Sequence, residues 1–227
     1  MIRLLQDHGR LKTTVFLVTM SLFCFLLSVF RVFISETRGY LFLNWNLFLA
    51  LIPWLLTSIA ILWKLQSRIA VLLILAAWLL FFPNSLYILT DLIHLRAMQD
   101  APVWLDLIIV LSFAWAGLCF GFVSLTDIEF FLRTRFKAGG KFVILLSVCM
   151  VYLAAFGIYL GRFLRWNSWD LLGNPAALLN DIVDPFTDPL NNLTFWGFTV
   201  LMGTLLNFMY FGFRFISAGT SSAASDR

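Results

Sequence analysis

Six long apolar runs, separated by shorter polar segments, form the pattern of this chain. They cover about residues 15–35, 43–63, 69–92, 104–126, 142–161 and 195–216, and each approaches the ~20 residues that cross a bilayer as a helix. Because most connections are short, successive helices are expected to be antiparallel neighbours. The pattern predicts an all-α fold, a polytopic membrane helix bundle over 15–216, with a cytoplasmic tail at 1–14 and a flexible cytoplasmic tail at 217–227.

The composition excludes a soluble fold. Of the 227 residues, 61% are hydrophobic and 12% are charged, whereas soluble domains have roughly 25% charged residues. The basic residues are dispersed between the apolar runs, so nucleic acid is not a predicted partner. The first run is too long for a signal-peptide core, and no small-residue cleavage site follows it, so we expect a retained helix. The lipid bilayer is the first predicted partner.

The distribution of basic residues predicts the orientation of the bundle. If the N-terminus is cytoplasmic, the inner segments carry eleven basic residues: Arg3, Arg10, Lys12, Lys64, Arg68, Arg133, Arg135, Lys137, Lys141, Arg214 and Arg227. The outer segments then carry five: Arg31, Arg38, Arg96, Arg162 and Arg165. Positive charge concentrates on the cytoplasmic side of membrane proteins, so both termini are predicted to be cytoplasmic.

The third run contains a proline followed by a polar stripe. Pro83 has no N–H, so it removes a helical hydrogen bond and predicts a kink, after which a shorter outer-leaflet helix begins. Asn84, Tyr87, Asp91 and His94 follow at spacings of three, four and three. On a helix they cover an arc of about 80°. Such a one-sided stripe should face the bundle or a water-filled vestibule rather than lipid.

The predicted topology places two further polar stretches on the same outer side of the membrane as the stripe in the third run. One stretch is at the start of the second run, and the other is at the end of the fifth. The resulting candidate outer polar cluster consists of Asn44, Asn46, Asn84, Tyr87, Asp91, His94, Arg162, Arg165, Asn167 and Asp170. Asp91 and Asp170 are plausible partners for Arg162 and Arg165, which share a helical face if the fifth helix persists. An anionic lipid headgroup or a phosphate is the external candidate for these two arginines.

Two smaller patterns predict local structure. In the long outer loop at about 162–194, Asn174 as N-cap and Pro175 in the first turn predict a short helix on the membrane surface. Gly117-x-x-x-Gly121 and Gly157-x-x-x-Gly161 predict close helix contacts, either within one bundle or across a homodimer.

The sequence offers little catalytic or metal chemistry. Asp91 and His94 could supply two metal ligands, but a third would have to come from Asp170 or the outer loop, so we predict no metal and no cofactor. There is no G-x-S-x-G, no H-E-x-x-H and no phosphate-binding glycine loop. Asp127 and Glu129, next to basic residues at the inner end of the fourth run, are interpreted as a solvated charged end.

Three segments resemble one known family. WLLFFPNSLYILTDLIHL, GFVSL and GIYLGRFLRWNSWDLL are similar to a family of bacterial multi-pass membrane proteins known as domain of unknown function 1361, and the likeness extends from about Asn44 to Phe215. The resemblance implies a helical protein of a bacterial envelope, here placed in the cytoplasmic (inner) membrane. It implies no activity, so no catalytic residue is carried over.

Three functions are consistent with the sequence. The first is a non-enzymatic envelope component whose outer polar cluster is mainly structural. The second is a small-solute carrier that uses the broken third helix. The third is an enzyme acting on a lipid-linked or periplasmic substrate, with Asp91 and His94 in acid/base roles and Arg162 and Arg165 as anion binders.

Overall fold

The computed structural model describes residues 10–65, 67–96 and 102–225, and these residues form helices joined by short connections. The elements are α1 (Leu11–Ser35), α2 (Phe42–Leu62), α3 (Arg68–Tyr87), a 3-10 segment (Ile88–Arg96), α4 (Val103–Arg135), α5 (Gly140–Arg162), α6 (Asp170–Gly173), α7 (Pro175–Thr187) and α8 (Leu193–Ser225). Six of these stretches are long and apolar enough to cross a membrane. The predicted all-α membrane bundle is confirmed.

The chain divides into two compact units, Met1–Phe136 and Lys137–Arg227. In the first unit α4 is the central helix, because it contacts α1, α2, α3 and the 3-10 segment. Every residue from Ala116 to Phe122 is buried. A helix that is buried on all sides belongs to a core. In contrast, most of α1 exposes large apolar side chains such as Phe23 and Phe30, as expected of a surface that faces lipid.

Helix α3 continues through Pro83 and ends at Tyr87, and the 3-10 segment begins at Ile88. The prediction that the helix changes at the proline is therefore five residues early. Proline removes one hydrogen bond without forbidding the next turn, provided that neighbouring groups support the chain. Here the Ser85 hydroxyl donates to the Ala50 carbonyl of α2 at 2.8 Å, and Thr90 donates to the Tyr87 carbonyl at 2.6 Å.

Gly117 and Gly121 of α4 allow the close approach of α3. A Cβ atom on Gly117 would lie 2.6 Å from the Ser85 carbonyl oxygen, and one on Gly121 would lie 2.9 Å from a methyl carbon of Leu86. A larger residue at Gly117 would push against the α3 backbone, and one at Gly121 would require the Leu86 side chain to move. Packing within the bundle is confirmed for this glycine pair; the role of Gly157 and Gly161 stays a prediction.

In the second unit, α5 packs against α8. Gly203 of α8 leaves room for the Tyr152 ring of α5, whose hydroxyl lies 2.9 Å from that of Thr204. The short helix predicted between the fifth and sixth runs is present as α7. It begins at Pro175 as expected, but the Asn174 side chain makes no capping hydrogen bond, and the helix continues two residues past Pro185.

Candidate functional site

Arg31 and Asp106 form a fully buried ion pair between α1 and α4, here called the Arg31 pair. The Arg31 side chain is 1% exposed and that of Asp106 is 0% exposed. Arg31 Nε donates to Asp106 Oδ1 at 2.6 Å and Nη2 donates to Oδ2 at 3.3 Å. Nη1 donates to the hydroxyls of Ser35 and Thr37 at 3.1 and 2.9 Å. Asp106 also lies in the first turn of α4, where the helix dipole favours a negative charge.

Arg10 and Asp127 form a second ion pair between the same helices, here called the Arg10 pair. Arg10 Nη1 donates to Asp127 Oδ1 at 2.6 Å, and Nη2 donates to Oδ2 at 2.8 Å. The same Nη2 also donates to Ser58 at 2.8 Å, and Thr57 donates to Asp127 Oδ2 at 2.8 Å. These contacts tie the start of α1 to both α2 and α4.

The two pairs have matching spacing along α1 and α4. Arg10 and Arg31 are 21 residues apart, and so are Asp106 and Asp127. At 1.5 Å per residue this is roughly 32 Å, close to the ~30 Å hydrocarbon thickness of a bilayer. The two antiparallel helices are therefore joined at both ends of a membrane-length segment, and the rest of α1 carries lipid-facing side chains.

A seven-residue repeat explains why these helices share one register. Buried or partly buried positions recur every seven residues along each helix: Arg10, Leu17, Cys24 and Arg31 on α1, and Asp106, Phe113, Phe120 and Asp127 on α4. A second row on α1 is small and polar: Thr14, Ser21, Ser28 and Ser35. A seven-residue period keeps one seam facing its neighbour, and small residues let membrane helices approach closely. This repeat is the sequence signal that could have revealed the ion pairs.

Part of the predicted outer polar cluster does come together around Asp91. Its side chain is 1% exposed, whereas that of His94 is 42% exposed. Asn46 Nδ2 donates to Asp91 Oδ2 at 3.0 Å, and His94 Nε2 lies 4.0 Å from Asp91 Oδ1. The 3-10 segment and the start of α2 are thereby joined. We call Asn46, Asp91 and His94 the Asp91 group.

Tyr40 connects the Asp91 group to the Arg31 pair. The Arg31 guanidinium carbon lies 4.6 Å from the centre of the Tyr40 ring, within cation–π distance. The Tyr40 hydroxyl donates to the His94 carbonyl at 3.1 Å. Burial raises the pKa of Tyr40 and the Asp106 charge raises it further, whereas Arg31 lowers it. The phenol therefore stays protonated at neutral pH and can act as this donor.

The other predicted residues of the first unit lie outside the Asp91 group. Asn44 Nδ2 donates to the Ser28 hydroxyl of α1 at 2.9 Å. Asn84 Nδ2 donates to the Phe81 carbonyl within its own helix at 3.2 Å. Tyr87 is half-buried at the end of α3, where its carbonyl accepts from Thr90. The stripe predicted on one α-helical face is thus divided between α3 and a 3-10 segment, which has three residues per turn.

In the second unit, Arg162 and Arg165 do not share a helical face. Helix α5 ends at Arg162, and Arg165 has a left-handed φ of 62°, which turns the chain so that the Trp166 amide donates to the Leu160 carbonyl at 3.1 Å. The condition for the shared face, a fifth helix that persists to Arg165, is not met, because a left-handed residue cannot extend a right-handed helix. Pairing of Asp91 with either arginine stays a prediction.

Asp170 and Asn167 contact each other at the start of α6. The Asn167 amide N–H and Nδ2 donate to Asp170 Oδ2 at 2.7 and 3.1 Å. This is a local turn in which a carboxylate accepts from the preceding loop. Pairing of Asp170 with Arg162 or Arg165 stays a prediction.

The interpretation of Asp127 and Glu129 as a solvated charged end is wrong. The Asp127 side chain is 13% exposed and bonded to Arg10, and Glu129 is 4% exposed. Sequence reasoning treated α1 and α4 as separate spans and therefore missed their mutual ion pairs. Among the described residues, no group of three or more His, Cys, Asp or Glu side chains is arranged to hold a metal ion.

Comparison with known families fits this architecture. The model of the family described as "Protein of unknown function (DUF1361)" matches residues 45–209. The chain belongs to this family. The DUF1361 match includes Asp106 and Asp127 but begins after α1, which carries Arg10 and Arg31. No curated protein and no solved structure matches the chain.

Proposed function

We propose that this DUF1361 protein is a non-enzymatic integral component of the bacterial cytoplasmic membrane, and that its buried polar residues hold the helices together. The observation that carries the proposal is the pair of Arg–Asp contacts at the two ends of α1 and α4. A reactive carboxylate must be reachable by its substrate, whereas Asp106 is fully buried and already bonded to Arg31.

The Asp91 group supports the same proposal. Asp91 is buried and accepts a hydrogen bond from Asn46 of the neighbouring helix, and the Tyr40 hydroxyl binds the backbone of His94 rather than its ring. These contacts fix the 3-10 segment against α2 and the preceding loop. Buried polar groups that bond one another in this way determine helix register.

We further propose that both termini lie in the cytoplasm, because eleven of the sixteen basic residues then lie on the cytoplasmic side. In this orientation the Arg31 pair and the Asp91 group are near the outer surface, and the Arg10 pair is near the inner surface. A homodimer through Gly157 and Gly161, and an anionic headgroup at Arg162 or Arg165, remain parts of the proposal that need separate tests.

The function can be tested by complementation in cells that lack the chain. We expect envelope resistance to detergent to be restored by Asp91→Asn and His94→Gln in proportion to the amount of folded variant in the membrane. The amount is measured by quantitative immunoblotting, and folding by thermal unfolding of the purified variants in detergent.

The carrier and enzyme hypotheses give a different result. Either one requires a variant of Asp91 or His94 that accumulates and unfolds like the wild type but does not complement. Solute uptake by proteoliposomes that exceeds uptake by protein-free liposomes, and is lost in Asp91→Asn, would establish the carrier instead.

A further inference from the structure

An apolar groove opens between α2 and α4 near the Arg10 pair. Its volume is about 230 Å³, less than the ~300–1,000 Å³ of a drug-sized ligand pocket, so it can hold only part of a lipid. Ala60, Ile61 and Leu65 form the wall on the side of α2, and Phe130 and Phe131 form the wall on the side of α4. Such a lining suits hydrocarbon rather than a polar solute.

The groove continues inward as a narrower pocket. This second pocket shares Ala60, Ile61 and Phe131 with the first and extends along aliphatic side chains of α3. It reaches Asp127 of the Arg10 pair. With a volume of only about 10 Å³, this inner pocket is too small for an acyl chain, which would lie in the outer groove instead.

The mouth of the groove is cationic. Lys64, at the end of α2, and Arg135, in the last turn of α4, both line it and are both exposed. Thr134 lies between the walls and adds a hydroxyl. An apolar groove with two cations at its mouth is complementary to an amphiphile with an anionic head. Basic pockets between membrane helices on the cytoplasmic side bind anionic lipid headgroups in this way.

Lys64 lies in the turn that ends α2. Lys64 has a left-handed φ of 48°, its amide donates to the Ile61 carbonyl at 3.2 Å, and the Leu65 amide donates to the Ala60 carbonyl at 3.3 Å. This is a Schellman motif, whose left-handed position is usually glycine. The chain therefore keeps a long cationic side chain at a position where glycine would fit with less strain.

We propose that this groove binds one anionic phospholipid. Its phosphate lies between Lys64 and Arg135, and an acyl chain lies along Ile61 and Phe131. The site is at the opposite end of α2 and α4 from the Asp91 group, and it does not depend on the proposed structural role of that group.

The proposal is tested by native mass spectrometry of the full chain in a neutral detergent, titrated with phosphatidylglycerol or phosphatidylcholine. We expect saturable binding of one phosphatidylglycerol and weaker binding of phosphatidylcholine. Lys64→Gly and Arg135→Gln should each weaken phosphatidylglycerol binding about fivefold, the value of one basic residue near a lipid surface. Lys64→Gly should also raise the unfolding temperature without lipid, because glycine relieves the left-handed strain.

Two matched controls separate the site from general adhesion. Thr134→Trp should fill the groove and abolish binding while both cations remain. Thr126→Trp changes an exposed threonine on the same helix that makes the same kind of backbone hydrogen bond, and it should leave binding unchanged. Arg38→Gln, which removes an exposed cation in the connection before α2, should also have no effect.

Other outcomes would overturn the proposal. Equal binding of both lipids would show that Lys64 and Arg135 do not select an anionic headgroup. Equal losses in Thr134→Trp and Thr126→Trp, or in Lys64→Gly and Arg38→Gln, would indicate non-specific adhesion. Displacement of the lipid by millimolar inorganic phosphate alone would show that the acyl chain contributes nothing.

Discussion

The two ends of α1 hold the same kind of ion pair in different surroundings. At one end, every guanidinium nitrogen of Arg31 donates to a side-chain oxygen, and Tyr40 covers it. At the other end, Nε of Arg10 has no hydrogen-bond partner among the described residues, and Asp127 borders an open pocket. Two ion pairs of equal charge therefore need not contribute equally to the free energy of unfolding. The Arg31 pair is the more costly one to break because it is fully buried and completely hydrogen-bonded.

The largest effect is expected for Asp106→Asn. It leaves the Arg31 guanidinium buried without its countercharge, which should lower the free energy of unfolding by about 3–5 kcal/mol. Denaturant unfolding of the purified chain in detergent measures this. The double variant Arg31→Asp with Asp106→Arg should recover part of the loss, and no recovery would show that the two residues do not interact directly.

A smaller loss, about 2 kcal/mol, is expected for Asp127→Asn, since the Arg10 pair is partly exposed and Arg10 keeps its bond to Ser58. The same unfolding measurement applies. If Asp127→Asn lowers the free energy of unfolding as much as Asp106→Asn does, the two ion pairs contribute equally and the contrast between the two ends of α1 is wrong.

Tyr40→Phe should cost about 1 kcal/mol, because it removes the hydroxyl bonded to the His94 carbonyl but keeps the ring over Arg31. It should also change the pH dependence. The pKa of Tyr40 is raised from its usual value of 10.0, so above about pH 10 the unfolded chain loses this proton first and stability falls. The fall should be shallower in Tyr40→Phe, and parallel pH profiles would contradict this account.

The smallest effects concern the hydroxyl row of α1. Thr14 has a buried hydroxyl without a hydrogen-bond partner in the described part of the chain, so Thr14→Val should be neutral or slightly stabilising. Ser28 is bonded to Asn44, so Ser28→Ala should cost about 1 kcal/mol. Thermal unfolding curves of the two variants measure this difference. Equal losses of stability in Thr14→Val and Ser28→Ala would contradict it.

The positions of the helices follow from the sequence because hydrophobic length alone determines them. The six predicted runs overlap the six long apolar helices. Ion pairs between helices follow less directly from the sequence, since residue types do not determine which helices are neighbours or which charged residues face each other. Only the seven-residue repeat relates Arg31 to Asp106, and it becomes visible when α1 and α4 are aligned antiparallel.

Other features could not be read from residue types. Arg165 takes a left-handed φ, a conformation that favours glycine, so nothing in its identity marks the end of α5. The helix passes through Pro83 because contacts from α2 and α4 support α3 at Ser85 and Leu86, directly after the proline. Tertiary contacts, rather than local preference, decide both cases.

The equal spacing of the two ion pairs ties the stability of the chain to the thickness of its membrane. In a bilayer whose hydrocarbon layer exceeds roughly 32 Å, charged groups at one or both ends of α1 would be drawn among acyl chains. The helices could tilt only together, because they are joined at both ends. Hydrophobic mismatch of this kind sorts membrane proteins among bilayers, so lipids with longer acyl chains should destabilise this protein more than lipids of matching length.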